Sequence, residues 1–170
     1  MTTPSRSTRA VVAGFVGALL LAGIWVAASA LREAPGDGIP AGAVAVSVER
    51  VVDGDTLVTA DGARVRLIGI DAPEVRPEPE CGADAATARL RELAPEGARL
   101  WMLADREDLD RFERELRYLW TDGGTFVNDL LVAEGHAETL RIPPNTRYAD
   151  RFAESEADAR ARGAGRWGAC

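Results

Sequence analysis

Apolar and polar positions alternate first at Ala43 to Val52, "AVAVSVERVV", and that valine-rich period of two predicts a strand. "TLVTA" (56–60) and "ARVRLIGI" (63–70) predict two more, and the Asp61-Gly62 between them is a hairpin signal. "CGADAATARLRELAPEG" (81–97) predicts a helix of about three turns, stopped by Pro95 and Gly97. "ARLWMLAD" (98–105) and "LRYLWT" (116–121) are again strands. "TDGGT" makes a turn, "FVNDLLVAEG" (126–135) a helix ending at Gly135, and "IPPN" breaks the chain. "TRYADRFAESEADARARGAG" (146–165) predicts a last helix, with Tyr148, Ala149, Phe152, Ala153 and Ala157 along one side. No internal repeat is present. The order β-β-β-α-β-β-α-α predicts an α+β, mainly β fold: a five-stranded Greek-key barrel of the oligonucleotide-binding type (OB-fold) with three α-helices.

The pattern differs before this domain. Ala10 to Leu31 are 22 uncharged, mostly apolar positions, preceded by Arg6 and Arg9 and with no acid before Glu33. That is an export or anchor helix, either a secretory signal or a single membrane span. "ASA" at Ala28 to Ala30 suits signal cleavage, while the length of the run, at ~1.5 Å per residue, suits a bilayer crossing. Both readings stay open. The Gly- and Pro-rich stretch that follows reads as a linker. The expected organisation is therefore 1–31 signal peptide or membrane anchor, 32–42 linker, and 43–170 working domain, long enough to bury one core. The working domain is expected outside the cytoplasm, secreted or tethered, as a monomer.

Charge narrows the partners. The chain carries 27 acids and 20 bases, every base an arginine. Without Arg6 and Arg9 the mature domain is left at −9, which repels polyanions overall. The two cysteines, Cys81 and Cys170, both follow the export segment, and in an oxidising compartment they most simply pair. They are too few for a zinc site, and no pairing signature around His136 suggests a thiol nucleophile.

Chemistry concentrates in "VVDGDTLVTADGARVRLIGIDAPE", Val51 to Glu74. With a two-residue turn at Asp61-Gly62, Thr56 faces Leu67 and Val58 faces Val65 on an apolar side expected to be core. Leu57 then faces Arg66 and Asp55 faces Ile68, so Asp55 and Arg66 are diagonal neighbours roughly 7 Å apart on the other side. Asp71 and Glu74 leave the third strand beside them, with Pro73 fixing the backbone between. Carboxylates this close repel unless a cation lies between them, and oxygen ligands select a hard one, calcium or magnesium. Arg66 binds an anion instead, and beside a metal a phosphate held bidentately fits best. Taken singly, each residue also reads as a turn former or a surface ion pair; the constellation points to phosphodiester cleavage.

"VDGDT", "RLIGIDAPE", "DRFERELRYLW", "VNDLLVAEGHA" and "GRW", in that order and spacing, resemble the staphylococcal nuclease (thermonuclease) family over about Ala43 to Trp167. The resemblance implies a five-stranded barrel with three helices and calcium-dependent hydrolysis of DNA and RNA by a metal-assisted water. It implies Asp55 and Asp71 as metal carboxylates, the Ala72 backbone carbonyl as a further ligand, and Asp53 as an acid beside them. Glu74 matches the group that orients or deprotonates the attacking water. Arg66 matches the arginine on the scissile phosphate, and Arg114 the one that stabilises the transition state. The chain departs from the family's Asp-(Arg/Lys)-Tyr-Gly-Arg at Phe112 and Glu113. Glu113 is strained if that position needs positive φ, and it is a candidate to pair with Arg114. The family's tyrosines before the Pro-Asn step are replaced by "LRIPPN", where only Arg141 serves phosphate.

Outside this constellation, His136, Tyr148, Trp101, Trp120 and Trp167 read as packing or surface residues. The function expected is an exported calcium-dependent nuclease. The alternative is a binding or interaction module on the same barrel with weak or no catalysis, which the −9 charge, Glu113 and Glu115 favour.

Overall fold

The computed structural model describes residues 37–170. The expected signal or anchor and the start of the linker lie outside the described residues, among which no helix is long and apolar enough to cross a membrane. Seven strands and four helices follow in order: β1 (Val44–Val51), β2 (Thr56–Thr59), β3 (Arg64–Leu67), β4 (Ile70–Asp71), α1 (Ala83–Leu93), β5 (Arg99–Leu103), β6 (Glu115–Thr121), α2 (Val127–Ala133), β7 (Glu138–Thr139), α3 (Ala149–Arg162) and α4 (Arg166–Ala169). Five strands close a barrel in the order β1-β2-β3-β6-β5, with β3 and β6 parallel. The mainly β, five-stranded barrel with three full helices is the expected fold. Two additions were not foreseen: the short β4–β7 ribbon and the four-residue α4.

The hairpin register differs by one residue from the expected one. Thr56 pairs with Arg66, Leu57 with Val65 and Val58 with Arg64. The turn has three residues, because Thr59 N–H bonds Ala63 O at 3.0 Å and Gly62 N–H bonds Thr59 O at 2.8 Å. Gly62, at φ 89°, supplies the left-handed residue that such a turn requires. A slip of one residue exchanges faces. Leu57 therefore joins Val65 and Leu67 in the main core, while Thr56 and Val58 are buried outside that cluster.

That core fills the barrel and the space under α1 and α2. Within it Tyr118, Phe126 and Phe152 pack edge-on or tilted, with the half-buried Tyr148 against them, and Trp120 stacks on Phe126 with ring centroids 4.4 Å apart. Trp101 and Trp120 are buried as expected, whereas Trp167 is half-buried with the Arg160 guanidinium 3.5 Å above its ring. Asn128 is fully buried and ties α2 to the barrel: its amide donates to Ile68 O at 2.9 Å and its oxygen accepts from Leu119 N–H at 2.9 Å. The inward face of α3 also differs from the expected one. Phe152 and Ala159 are buried, while Ala153 and Ala157 are exposed. The docking side is partly polar, with Ser155 Oγ donating to Asp129 at 2.7 Å, so alanine content alone misplaces it.

Candidate active site

Three short pieces of backbone assemble the site. The bend before β2 carries Asp55, β3 carries Arg66, and β4 carries Asp71. Gly69 lets the chain turn from β3 into β4: its φ is 80°, and a Cβ there would stand 2.5 Å from the Phe152 ring. Arg66 is largely buried. Its Nη1 donates to Leu67 O and Ile70 O, both at 2.8 Å, which fixes the plane of the guanidinium. Its Nη2 then reaches Asp71 Oδ1 at 2.7 Å and Asp55 Oδ2 at 3.1 Å. One guanidinium nitrogen thus joins the two carboxylates that the sequence singles out.

Asp55 is buried at 7 % exposure, and burial pushes its carboxyl up to about 6. Arg66 and the Ala72 N–H, which bonds Asp55 Oδ2 at 3.0 Å, oppose that rise. Asp53 adds to it by repulsion while accepting the Asp55 N–H at 3.2 Å. Two carboxylates, those of Asp55 and Asp71, therefore share a single guanidinium, and Asp53 adds a third negative charge beside Asp55.

Arg66 also lines a cleft of about 480 Å³ whose other wall is the loop before β6, with Asp110, Arg111, Phe112 and Arg114. Arg114 is held there by Asp110, which accepts Arg114 Nε at 2.6 Å and the Arg114 and Phe112 N–H groups at 3.0 and 2.8 Å. These bonds outweigh burial and hold the Asp110 carboxyl below the usual aspartate range. Glu113 stands at φ 61°, the left-handed strain expected from its sequence position. It makes no ion pair with Arg114, contrary to the expectation; Asp110 accepts the Nε of that guanidinium instead. Glu115 pairs with Arg117 instead, at 3.0 Å.

Glu74 and Arg141 do not line that cleft. Glu74 is exposed, and its N–H donates to Glu80 Oε2 at 3.1 Å. Arg141 is outside the cleft lining and sits 3.7 Å from Asp150. Among the described residues no three His, Cys, Asp or Glu side chains converge to hold a metal ion. Cys81 and Cys170 form a disulfide, as expected.

Sequence reasoning did not assign Asp110, Ile142 or Asn145 to the site. Ile142 is 58 % exposed and Phe112 60 %, so two large apolar side chains stand open in the cleft lining. Asn145 accepts from the Arg106 and Glu107 N–H groups at 3.0 and 2.8 Å and donates to Glu107 O at 2.9 Å, joining the walls. The signal for Phe112 was its place as one aromatic among charged neighbours; Asn145 had none beyond the preceding prolines.

A barrel that aims two arginines into one cleft beside paired carboxylates has the makings of a phosphodiester hydrolase. Known proteins make this specific. The family model described as "Staphylococcal nuclease homologue" matches residues 64–169. The thermonuclease of Staphylococcus intermedius is 35 % identical over 127 residues, covering 71 % of this chain and 74 % of that protein. The thermonuclease of Staphylococcus hyicus is 34 % identical over 119 residues, 66 % and 69 % of the two chains. The SPbeta prophage-derived endonuclease YokF of Bacillus subtilis (strain 168) is 36 % identical over 133 residues, 73 % of this chain and 44 % of that protein. The chain belongs to the staphylococcal nuclease family. It is a nuclease, a hydrolase of phosphodiester bonds, and its substrate class is nucleic acid.

Proposed function

We propose that this nuclease is calcium-dependent and acts outside the cytoplasm on DNA or RNA. The observation that carries the reading is Arg66 shared between Asp55 and Asp71 at the edge of the cleft that Arg114 also lines. The donor chemistry fits calcium: carboxylate and carbonyl oxygens are the ligands of a hard cation. The charge fits too, since Asp53, Asp55 and Asp71 exceed Arg66 by two negative charges. Asp55, Asp71 and the Ala72 carbonyl would hold the ion, with Asp53 beside them. When bound, calcium would neutralise charge on the scissile phosphate and polarise it.

The protein's own groups do the rest. Arg66 and Arg114 grip the phosphate oxygens and stabilise the charge that grows as the P–O bond lengthens. Glu74 orients or deprotonates the attacking water. The new bond is water oxygen to phosphorus, and the old ester oxygen leaves. Arg141 at most touches phosphate outside the cleft. The apolar run Ala10–Leu31 and the Cys81–Cys170 disulfide support an extracytoplasmic location. Calorimetric titration with calcium tests the metal: the wild-type chain should take it up, and Asp71→Asn should weaken uptake by about tenfold or more. Equal heats from both would contradict the ligand assignment. Sequencing the N-terminus of the exported protein decides between a cleaved signal and a retained anchor.

A further inference from the structure

The segment that carries Glu74 has few anchors of its own. Ala72 and Pro73 are buried at one end and Ala83 at the other, but Glu74 and residues 76–81 are exposed. Its hydrogen bonds close it on itself. Glu80 N–H donates to Glu74 O at 2.9 Å, and Glu74 N–H returns to Glu80 Oε2 at 3.1 Å. The covalent tie leaves from Cys81 and crosses 89 residues of sequence to Cys170.

The far end of that tie is firmly seated. The turn before α4 presses on the end of α2: Arg166 N–H donates to Gly135 O at 3.0 Å, and a Cβ on Gly165 would stand 2.5 Å from the same oxygen. Arg160 of α3 covers Trp167 of α4. Arg166 Nη1 lies 3.4 Å from Glu138 Oε2, and Glu138 is the β7 register partner of Asp71. The C-terminal turn is thus fastened to α2, α3 and the ribbon that bears a carboxylate of the site. From there Cys170 reaches the Glu74 segment.

We propose that the Cys81–Cys170 staple is a positioning device for Glu74, not only a brace of the whole fold. It fixes the distance between the exposed segment and the β4–β7 ribbon through α4. The inference rests on the role given to Glu74 above. Small misplacements of a reacting group are expensive: about 1 Å can cost on the order of 10²-fold in rate.

The test compares wild type, the Cys81→Ser/Cys170→Ser double variant and Val132→Ala, a core variant chosen to lower stability away from the site. Each is read by amide exchange of residues 74–82 and by kcat and KM on a plasmid substrate. The double variant should exchange about tenfold faster in 74–82 and lose about tenfold or more in kcat, with KM within about twofold. Val132→Ala should move neither. A chain with two glycines inserted after Gly168 keeps the disulfide but slackens it, and should show the same pattern more weakly; it decides the matter if the double variant does not fold. Unchanged exchange in 74–82 overturns the proposal, as does unchanged kcat in a protein whose Glu74→Gln variant is inactive. If Glu74→Gln itself keeps cleaving, the role of Glu74 is wrong, and exchange alone then decides whether the staple holds the segment.

Discussion

Arg66 and Asp55 meet almost out of solvent, Nη2 to Oδ2 at 3.1 Å, with side chains only 11 % and 10 % exposed. The same nitrogen holds Asp71 at 2.7 Å. Burial raises Asp55 although Arg66 stands beside it, so its charge is costly to keep beside the cleft that Arg66 lines. A structural ion pair would be placed at less cost on the surface.

Removing the guanidinium should separate catalysis from folding. Arg66→Ala is expected to lower the cleavage rate by about 10²–10³-fold. Asp55, already pushed up to about 6, then takes a proton instead of staying charged. The stability loss should therefore fall below the about 3–5 kcal/mol of a broken buried pair. Rates on plasmid and urea denaturation at pH 7 check both; near-normal cleavage would remove Arg66 from the reaction.

Glu113 holds a left-handed backbone at φ 61°. Glu113→Gly should raise stability by about 0.5–1.5 kcal/mol, since only glycine adopts that conformation without cost. Glu113→Ala should show no such gain, because it keeps the Cβ. An equal gain from both would mean that charge, not strain, is responsible. Urea midpoints decide.

Asp110 gives a pH signature. Burial opposes its charge, but bonds from the Arg114 backbone and side chain and from the Phe112 N–H hold its carboxyl below the usual range. A depressed carboxyl contributes its full stability above the unfolded value, about 3.9, and loses it as pH falls through the folded value. Asp110→Asn should flatten the fall of stability below about pH 4 relative to wild type. Urea midpoints from pH 2 to 7 measure this. Equal slopes would show that Arg114 is not held as described.

Asn128→Ala leaves Ile68 O and Leu119 N–H without the partner that bonds them now. The expected loss is about 2–3 kcal/mol, seen as a lower thermal midpoint. A loss under about 0.5 kcal/mol would mean water replaces the amide.

Much of this was readable from residue order, and the misses have physical causes. Strand periodicity and the helix stops gave the barrel sequence. The hairpin register failed by one residue because Asp61-Gly62 suits either a two- or a three-residue turn, and all four residues of β2 are buried, so burial along the strand does not choose between them. Asp55 and Arg66 still meet, because Asp55 lies in the bend before β2, where strand alternation does not apply. Two-residue strands such as β4 and β7 carry no period to detect. The partner of Arg114 was misjudged since its sequence neighbour Glu113 looked nearest, whereas the loop folds Asp110 back onto the Nε of the guanidinium. The Cys81–Cys170 pairing was legible because only two cysteines follow the apolar run.

Nicking of supercoiled plasmid by the purified domain tests the central claim most directly, run with calcium, after chelation, and with calcium restored. The account predicts cutting with calcium, none after chelation, recovery on restoring it, and almost none at any stage from Arg66→Ala. Cutting that survives chelation, or that Arg66→Ala performs as well as wild type, would contradict it.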